Sequence, residues 1–429
     1  MPRFVLAAAG SLGDLHPYIA VGRELTRRGH EAILASTPEY RAPVEDAGVP
    51  FAPIGPTFAS LGDYRALMHR AFHPRRGVEF MVREIVMPSA RRVYDDLAPL
   101  CAGADLLVSH PLMVSLPLVA AIQRKPWVST VLAPLSLMSA HDPPVLAMAP
   151  WFHRLRVFGP GPHRWLYALA SRRIRKWEAP LDELRRSLGL PPSPHPAMLE
   201  GQFSPYGNLA LFDGVLGAPQ PDWPAHTTVC GAALHDGARL DDATRADLDA
   251  FLAAGEPPIV FALGSSAVWI AGDFWDRAIA VARTLNRRAI FLTGPTTLHG
   301  LPDTMRQFAY VPYSAVFPRA AAIVHQAGIG TLAQAMRSGR PQLIVPVSFD
   351  QPDNAHRAAA LGLGRVLPFG KATSARLNRE LAALLDEPRH AAAAASVAAE
   401  LATSDGAARA ADALVACLGR HARGVSPKS

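Results

Sequence analysis

Two short polar segments of the chain combine residue types that can do chemistry. The first is GSLGDLHP, residues 10–17, which lies between an apolar run and a stretch long enough for a helix. Its glycines permit a tight turn and a close approach of the backbone to a phosphate or a sugar at a helix N-terminus. The Asp14 carboxylate could accept a proton, or it could simply cap the helix at a sharp turn. The glycine spacing is not the dinucleotide G-x-G-x-x-G, and the chain contains no P-loop G-x-x-x-x-G-K-[ST].

The second segment is AAIVHQAGIGTLAQAMRSGRPQLIVPVSFDQPDNAHR, residues 321–357. An apolar run ends at His325, a turn with two glycines follows, and an amphipathic stretch continues from Thr331. Backbone N–H groups and a helix dipole would converge at that turn, which is an arrangement suited to a diphosphate. The pair Asp350-Gln351 follows the next apolar run and could hydrogen-bond to sugar hydroxyls.

The apolar pattern predicts the elements that must position these segments. Short apolar runs alternate with amphipathic stretches of helix length, which indicates a parallel β-sheet with crossover helices. The predicted strands are 4–9, 32–36, 105–109, 127–132, 259–263, 289–293, 321–325 and 342–345, and the predicted helices include 17–28, 274–286, 330–338 and stretches within 390–420. Both polar segments then follow a strand, where open α/β sheets bind their ligands.

The length predicts more than one domain. A chain of 429 residues, 49% hydrophobic, can build two α/β halves with their own cores. Residues 217–237 are rich in proline and glycine and form the predicted linker. The N-terminal domain is then 1–216 and the C-terminal domain 238–429, with terminal helices that could pack back on the N-terminal half. A cleft between two such halves is the expected ligand site.

Composition and charge exclude several classes of protein. The net charge is +7, and residues 151–177 alone contain six arginines and one lysine without an acidic residue. No nucleic-acid-binding signature accompanies this charge, so no nucleic-acid partner is expected. The three cysteines are isolated, which predicts neither a disulfide framework nor a cysteine-based zinc site. The chain shows no signal-peptide pattern and no apolar stretch long enough to span a bilayer, so a cytoplasmic location is expected.

The two polar segments together resemble the motifs of a known family. The run His325-x-x-Gly328-x-Gly330-Thr331, with Asp350-Gln351 nineteen residues after Thr331 and Gly-Ser-x-Gly-Asp after the first strand, is similar to the UGT-like glycosyltransferases of family 1. These enzymes use nucleotide sugars, glycosylate small lipophilic molecules and have the GT-B fold of two Rossmann-like parallel-sheet domains. The resemblance covers nearly the whole chain. Four stretches, GSLGDLHPYIAVGRELTRRGHE, PQPDWP, GDFWDRAI and AIFLTGPTT, further resemble the bacterial rhamnosyltransferases of rhamnolipid synthesis.

The resemblance implies which residues bind the nucleotide-sugar donor in the C-terminal domain. The turn from His325 to Thr331 would hold the diphosphate, and Asp350-Gln351 would hold the sugar. Gly264-Ser265-Ser266 would lie near the phosphates, and Tyr310-Val311 near the base. Taken alone, His325 would more simply be a buried structural histidine, but the full spacing favours the donor role. The complete donor-binding set is Ser11, Gly13, Gly264, Ser265, Ser266, Tyr310, Val311, His325, Gly328, Ile329, Gly330, Thr331, Asp350 and Gln351.

The resemblance also places Asp14 where relatives carry a catalytic histidine or aspartate. As general base, Asp14 would take the proton of an acceptor hydroxyl while that oxygen attacks the anomeric carbon from the face opposite the diphosphate, which inverts the centre. A carboxylate is a weak base in water, so either burial raises its pKa or the proton leaves late in the transition state. His16 and His110 are candidate contacts of the acceptor, although a single histidine after a strand is more often structural.

No metal and no cofactor are expected. A leaving diphosphate can be stabilised by a helix N-terminus and hydroxyl groups. The sequence Asp247-x-Asp249 spells a motif of metal-dependent glycosyltransferases of another fold, but it lies in an acidic amphipathic stretch and predicts a solvated helix face.

One departure from the family pattern bears on the donor. Many relatives with uridine donors place a glutamate eight residues after the histidine, where it bonds ribose hydroxyls, and here that position is Ala333. Because alanine cannot bond a 2′-hydroxyl, the sequence predicts a dTDP-sugar. The resemblance to the rhamnosyltransferases implies dTDP-rhamnose as the specific donor and a hydrophobic lipid-like acceptor. The alternatives are a UDP-glucose-dependent glucosyltransferase acting on a polyketide, sterol or carotenoid, a non-catalytic glycosyltransferase-like activator, and a sugar-nucleotide epimerase of similar architecture.

The basic segment 151–177 has two interpretations. It predicts a helix from about residue 163 that carries aromatic and basic side chains, a composition that fits peripheral docking on anionic lipid at the inner membrane. Alternatively, it is a solvated arginine-rich face whose aromatic side chains belong to the core. Arginine outnumbers lysine 39 to 4 along the chain, which favours a compositional bias.

Overall fold

The computed structural model describes residues 1–237 and 239–423. The chain forms two compact units. The first contains residues 1–235 together with the described residues from 405 onward, and the second contains residues 236–404. Each unit is built on its own parallel sheet, which confirms the predicted α/β class with two parallel-sheet domains.

Thirteen strands form the two sheets of the described chain. They are β1 (Arg3–Ala7), β2 (Glu31–Ser36), β3 (Phe51–Pro53), β4 (Leu106–Ser109), β5 (Trp127–Val131), β6 (Asn208–Ala210), β7 (Thr227–Val229), β8 (Ile259–Ala262), β9 (Ala289–Leu292), β10 (Met305–Phe308), β11 (Ala322–His325), β12 (Gln342–Ile344) and β13 (Gly364–Val366). The first sheet has the order β3-β2-β1-β4-β5-β6-β7 and the second the order β10-β9-β8-β11-β12-β13.

Helices connect and cover the strands. They are α1 (Leu12–Arg27), α2 (Arg41–Glu45), α3 (Tyr64–Ala71), α4 (Gly77–Phe80), α5 (Met87–Cys101), α6 (Leu116–Gln123), α7 (Gly161–Arg175), α8 (Ala179–Ser187), α9 (Asp242–Ala253), α10 (Gly264–Ala267), α11 (Phe274–Thr284), α12 (Tyr313–Val316), α13 (Ile329–Arg337), α14 (Gln351–Ala360), α15 (Ser374–Asp386), α16 (Pro388–Leu401) and α17 (Gly406–Ala422). A short 3-10 helix, Phe152–Phe158, precedes α7.

The central strands are apolar and buried because helices cover both faces of each sheet. Every residue of β4, β8 and β11 is buried. In the first sheet, Ala7 of β1 pairs with Ser109 of β4, so the residues that follow these two strands start side by side. In the second sheet, β8, β11 and β12 are neighbours, and the three turns that follow them meet at one edge.

The structure differs from the predicted boundaries at two places. Residues 217–235 belong to the first unit, where β7 pairs with β6 as the last strand of the sheet. The final helix α17 also belongs to the first unit, as the expectation that terminal helices could pack back on the N-terminal half allows. There Arg28 at the end of α1 forms an ion pair with Asp412 and donates to the Ala408 carbonyl at 3.0 Å. Composition alone marks 217–237 as a linker because a three-residue edge strand carries little apolar pattern.

Helix α1 begins earlier than the sequence pattern predicts. It begins at Leu12 rather than at residue 17, and Pro17 lies inside it. Proline is favoured at the first helical position, which is why it mimics a helix start in the sequence. The earlier start places Gly13 and Asp14 in the first turn of the helix.

Within 1–237 and 239–423, no helix combines the length and apolar character needed to cross a bilayer. Over the same residues, no three histidine, cysteine, aspartate or glutamate side chains are grouped as a metal site would require. The three cysteines are buried and free.

Candidate functional site

Asp14 is held at the start of α1 by a capping box. Ser11 is the N-cap, and its hydroxyl accepts a hydrogen bond from the Gly13 N–H at 3.2 Å. The Oδ2 atom of Asp14 accepts from the Ser11 N–H at 2.7 Å and from the Ser11 hydroxyl at 2.9 Å. The Asp14 carboxylate therefore stabilises the helix start through Oδ2, and Oδ1 remains for another partner.

That partner is His110, which follows β4. His110 is buried, and its Nδ1 accepts a hydrogen bond from the Leu112 N–H at 3.1 Å. The neutral ring then carries its proton on Nε2, which lies 3.6 Å from Asp14 Oδ1. The structure thus brings together two residues that are almost a hundred positions apart in the chain.

The surroundings of Asp14 lower its pKa. Burial alone would raise the pKa, but the interaction with His110 and the hydrogen bonds from Ser11 outweigh it. The sequence left two ways for a carboxylate to act as the base: a pKa raised by burial, or a proton that leaves late. The prediction that burial raises the pKa of Asp14 is wrong. About a third of the Asp14 side chain, 35%, remains exposed and can meet a bound molecule.

Aromatic side chains surround the turn that precedes Asp14. The Tyr40 hydroxyl donates to the Gly10 carbonyl at 2.8 Å, and a Cβ on Gly10 would lie 2.4 Å from Asp14 Oδ2. Only glycine fits there, at a φ of +120°. The Phe58 ring lies 5.5 Å from the Tyr40 ring and 5.1 Å from the Tyr64 ring. Burial, together with the charge of Asp14, raises the pKa of Tyr64. Through the Tyr40 hydrogen bond, this aromatic cluster packs against the turn that precedes Asp14.

His16, the other candidate acceptor contact, packs elsewhere. Its ring lies edge-on against His235, with ring centroids 5.2 Å apart. His110, and not His16, is therefore the histidine that faces the Asp14 carboxylate.

In the second unit, Gln326 joins the turns after β8 and β11. A Cβ on Gly264 would lie 2.2 Å from Gln326 Nε2, and a Cβ on Gly328 would lie 2.9 Å from it. The same Nε2 lies 3.4 Å from the Thr331 hydroxyl. Gly264 also has a φ of +70°, so its turn requires glycine for conformation as well as for space. Gln326 Oε1 is buried without a hydrogen-bond partner among the described residues.

The predicted diphosphate turn is present, at the start of α13. Gly328 is the N-cap, so the N–H groups of Ile329, Gly330 and Thr331 lie in the first helical turn and lack acceptors within the helix. These N–H groups and the helix dipole favour an anion at this end.

The His325 ring does not reach the surface of this turn. His325 is completely buried, its Nε2 bonds to Gln342 Oε1 at 2.9 Å, and its Nδ1 accepts from the Ala327 N–H at 3.1 Å. Burial lowers the pKa of His325 to about 4, although the Gln342 hydrogen bond opposes the shift. The imidazole is therefore neutral and holds the backbone of the turn. The resemblance implied that His325 contacts the diphosphate, but in this geometry the buried ring does not offer that contact.

Asn354 links the third turn to the second. Its Nδ2 donates to Asp350 Oδ2 at 2.6 Å and to the Ala327 carbonyl at 2.9 Å. Gln351 is buried, and its Oε1 accepts from the Val347 N–H at 2.9 Å, so its carbonyl is already engaged in the loop. Asp350 is partly exposed at the N-cap of α14.

The remaining predicted donor residues lie on the same edge of the sheet. Ser265 is exposed and Ser266 is partly exposed at the start of α10. Tyr310 follows β10, is 40% exposed, and donates its hydroxyl hydrogen to the Asp236 carbonyl. Val311 is completely buried, which leaves only its backbone for a ligand. Because β10 is two strands from β8, Tyr310 lies about 10 Å along the edge from Gly264.

Two further sequence features take structural roles. Ala333 is buried in α13. Asp247 and Asp249 lie on α9 and form ion pairs with Arg306 at 3.6 Å and Arg319 at 2.6 Å. Both carboxylates are thus exposed and paired with arginines.

Comparison with known proteins identifies the family. Residues 4–100 match the glycosyltransferase family 28 N-terminal domain, and residues 271–417 match the C-terminal domain of erythromycin biosynthesis protein CIII-like proteins. An O-mycaminosyltylonolide 6-deoxyallosyltransferase of Streptomyces fradiae is 32% identical over 390 residues, which cover 88% of this chain and 87% of that protein. The chain belongs to the nucleotide-sugar-dependent glycosyltransferases.

Other relatives of the glycosyltransferase agree with this assignment. Glycosyltransferase GtfE of Amycolatopsis orientalis is 30% identical over 436 residues, covering 98% of both chains. Among solved structures, the glycosyltransferase of kitacinnamycin aligns with a TM-score of 0.72 at 22% identity over 97% of this chain and 100% of that one. The spinosyn rhamnosyltransferase SpnG, solved with thymidine diphosphate, aligns with a TM-score of 0.67 at 21% identity over the same shares. These structures show that the enzyme has the GT-B fold.

Sequence reasoning missed three contributors to the glycosyltransferase site. Gln326 and Asn354 bridge the turns after β8, β11 and β12, and the aromatic cluster of Tyr40, Phe58 and Tyr64 packs against the turn before Asp14. Asn354 lies four residues after Asp350, a spacing that places two side chains on one face of a helix and could have suggested the contact. The aromatic cluster spans three separate segments and left no local signal.

Proposed function

We propose that the enzyme transfers a rhamnosyl group from dTDP-rhamnose, with inversion, to a hydroxyl of a hydrophobic lipid-like acceptor. The observation that carries this proposal is the ionised, partly exposed Asp14, fixed through Oδ2 by the helix start and facing His110 through Oδ1. A fixed carboxylate with one oxygen available is what a general base for an alcohol requires.

The proposed reaction is a single displacement. The acceptor hydroxyl donates a hydrogen bond to Asp14 Oδ1, and its oxygen attacks the anomeric carbon while the bond from that carbon to the diphosphate oxygen breaks. The electron pair of that bond leaves with the diphosphate, and the proton passes to Asp14. Because the pKa of Asp14 is lowered, the proton moves late, when the attacking oxygen has already become acidic. The His110 Nε2–H holds the carboxylate in position.

The second unit is proposed to bind the donor. The N–H groups at the start of α13 and the Thr331 hydroxyl would bind the diphosphate and stabilise its developing charge, without a metal ion in the proposed step. The unpartnered Gln326 Oε1 would accept a hydrogen bond from the donor. Asp350, which Asn354 holds in place, would bind sugar hydroxyls.

The preference for a thymidine donor rests on Ala333. The methyl group of Ala333 cannot hydrogen-bond to a 2′-hydroxyl. A ribose 2′-hydroxyl that gives up its water there would therefore have no hydrogen-bond partner. Such a loss costs on the order of 1–3 kcal/mol, or about fivefold to 150-fold in affinity. SpnG and the glycosyltransferase VinC, both of this fold, were solved with thymidine diphosphate, which supports the choice.

The lipid-like acceptor rests on the aromatic cluster beside Asp14. Tyr40, Phe58 and Tyr64 pack on one another, and Tyr40 bonds to the Gly10 carbonyl in the turn before Asp14. Aromatic rings favour apolar ligands. We further propose that the enzyme is cytoplasmic and contacts the inner membrane peripherally, where lipid-like acceptors concentrate.

Product analysis tests the proposal. The purified enzyme is incubated with a panel of dTDP- and UDP-sugars and a bacterial lipid extract, and products are detected by mass spectrometry. A rhamnosylated lipid formed from dTDP-rhamnose is expected. A glucosylated polyketide, sterol or carotenoid formed only from UDP-glucose would overturn both the donor and the acceptor.

A further inference from the structure

Helix α7 presents apolar and basic side chains together on its outer face. The exposed residues of this helix recur with the helical period and form one stripe along it. They are residues 161, 164, 165, 168, 169, 172 and 173 of α7, together with 176, the residue that caps the helix. Trp165 is 67% exposed and Leu169 is 52% exposed within that stripe. A helix at the surface of a globular unit normally buries its apolar stripe, so large apolar side chains on the outer face need another explanation.

The 3-10 helix before α7 extends the same surface. Its last residues, Val157 and Phe158, are 77% and 73% exposed. Phe152 at its start packs against His163 of α7, with ring centroids 4.7 Å apart, so the two helices are in contact. Half of the twelve large apolar side chains that are exposed in the described chain lie between residues 148 and 169: Met148, Trp151, Val157, Phe158, Trp165 and Leu169. The prediction that the aromatic residues of this segment belong to the core fails for Trp151, Phe158 and Trp165.

The positive charge of this surface is largely uncompensated. Of the seven cations in 151–177, Arg173 alone has a carboxylate within 4.0 Å among the described residues, Glu79 at 3.3 Å. Arg175 is structural, because its guanidinium donates to the carbonyls of Ser193 and Pro194. Arg172 and Lys176 form no ion pair or side-chain hydrogen bond within the described ranges.

A surface cavity of about 540 Å³ lies against the same two cations. Arg172, Arg175, Lys176 and His195 line it, and Glu200 is the acidic residue among its lining. Ser171 also lines it, and the Ser171 hydroxyl is buried without a hydrogen-bond partner among the described residues. Cations, a ring N–H and an unpaired hydroxyl fit the phosphate of a lipid headgroup.

We propose that the outer face of 148–176 docks on an anionic phospholipid bilayer. Trp151, Val157, Phe158, Trp165 and Leu169 enter the interface between headgroups and acyl chains, and the surrounding arginines attract the negative surface. The cavity beside Arg172 takes one anionic headgroup. Docking deepens the proposed function and rests on it in one respect. A lipid-like acceptor is reached from a membrane surface, which gives the enzyme a reason to bind there.

Charge reversal tests the electrostatic part. Arg172→Glu/Lys176→Glu changes two cations that have no partner and spares Arg175. The matched control is Lys371→Glu/Arg376→Glu, the same charge change on exposed residues of the second unit. Sedimentation with vesicles of phosphatidylglycerol and phosphatidylcholine, against phosphatidylcholine alone, measures partitioning of the full chain. The first variant is expected to lose roughly tenfold or more of its binding to the anionic vesicles, and the control much less.

A second variant tests the apolar part. Trp165→Ser/Leu169→Ser removes side chains that contact solvent, so folding is expected to be unchanged by circular dichroism. Its binding to anionic vesicles is expected to fall, while transfer to a short-chain, water-soluble acceptor stays at the wild-type rate. The transfer rate and vesicle binding are independent measurements. If the enzyme transferred rhamnose to no acceptor, the proposed function would fail, but vesicle binding would still test the docking proposal.

Three results would overturn the docking proposal. The first is unchanged vesicle binding in both test variants. The second is equal loss in the control variant, which would mean that net charge alone controls binding. The third is a wild-type chain that forms dimers in analytical ultracentrifugation and becomes monomeric with Trp165→Ser/Leu169→Ser, because the face would then be occupied by a second copy.

Discussion

His110 Nε2 lies 3.6 Å from Asp14 Oδ1, which makes these two side chains a pair at the ends of neighbouring strands β1 and β4. His110 has its Nδ1 engaged by the Leu112 N–H, so it can offer the carboxylate a proton but cannot accept one from it without losing that bond. The histidine therefore favours the ionised form of Asp14, and in the proposed reaction the carboxylate is the group that receives a proton from the acceptor.

Replacement of His110 is expected to move the acid limb of activity. His110→Asn removes the imidazole interaction that favours the Asp14 carboxylate, so the pKa of Asp14 rises. Since the carboxylate is the active form, the acid limb of kcat/KM should shift to higher pH. The pH profile of transfer measures the shift. His16→Asn, in which the altered side chain packs on His235, is the matched control, and an equal shift there would contradict the pairing of Asp14 with His110.

The donor turns are expected to be intolerant of a methyl group at Gly264. Gly264→Ala places a Cβ 2.2 Å from Gln326 Nε2 at a φ of +70°, and should weaken dTDP binding and destabilise the protein by roughly 1–3 kcal/mol. Calorimetric titration with dTDP and urea unfolding provide the two measurements.

The source of that cost can be separated with a second change. Gln326→Ser in the Gly264→Ala background removes the clash but leaves the strained backbone, so stability should recover in part. No recovery would mean that Gln326 is not what occupies the space above Gly264.

The burial of His325 predicts a loss of stability in acid. The unfolded chain binds a proton near pH 6.5, whereas folded His325 binds it only near pH 4, because burial lowers its pKa. Stability is therefore complete above pH 6.5 and falls as the pH drops toward about 4, at roughly 1.4 kcal/mol per pH unit. Urea unfolding at several pH values measures this slope. His325→Gln cannot titrate, and a slope identical to that of the wild type would show that His325 is not buried neutral.

Discrimination between donor nucleotides is expected to follow the ribose 2′-hydroxyl. dTDP should bind about tenfold or more tightly than UDP, since Ala333 provides no partner for that hydroxyl. Competition against a fluorescent nucleotide measures the ratio, and dUDP is the control that removes the hydroxyl without adding the thymine methyl group. Clearly tighter binding of UDP would contradict the thymidine assignment.

The sequence predicted the framework well where strands are central and fully buried. The runs that became β1, β4, β8 and β11 are continuous apolar segments, and continuous apolar runs are typical of central parallel strands. The missed strands β3, β6, β7, β10 and β13 are short and mostly toward sheet edges, and β10 reads MRQF, so neither periodicity nor β-propensity marks them.

The site was predictable as a set of segments but not as contacts. The motifs predicted the turns after the strands. The Ser-x-x-Asp spacing of Ser11 and Asp14 is a capping signal, but Pro17 suggested a later start of the helix. The bond from His325 to Gln342 and the bridge made by Gln326 depend on the register of neighbouring strands, which local patterns do not specify.

The most direct test of the central claim is single-turnover transfer by Asp14→Asn. Asparagine retains an oxygen for the Ser11 hydrogen bonds, so the helix start and dTDP binding are expected to remain, while the chemical step slows by about 10²-fold or more because the amide cannot take a proton. Rapid-quench measurement of rhamnosyl transfer from dTDP-rhamnose, beside calorimetric binding of dTDP, gives both quantities. Retained dTDP binding with transfer at the wild-type rate would contradict Asp14 as the base.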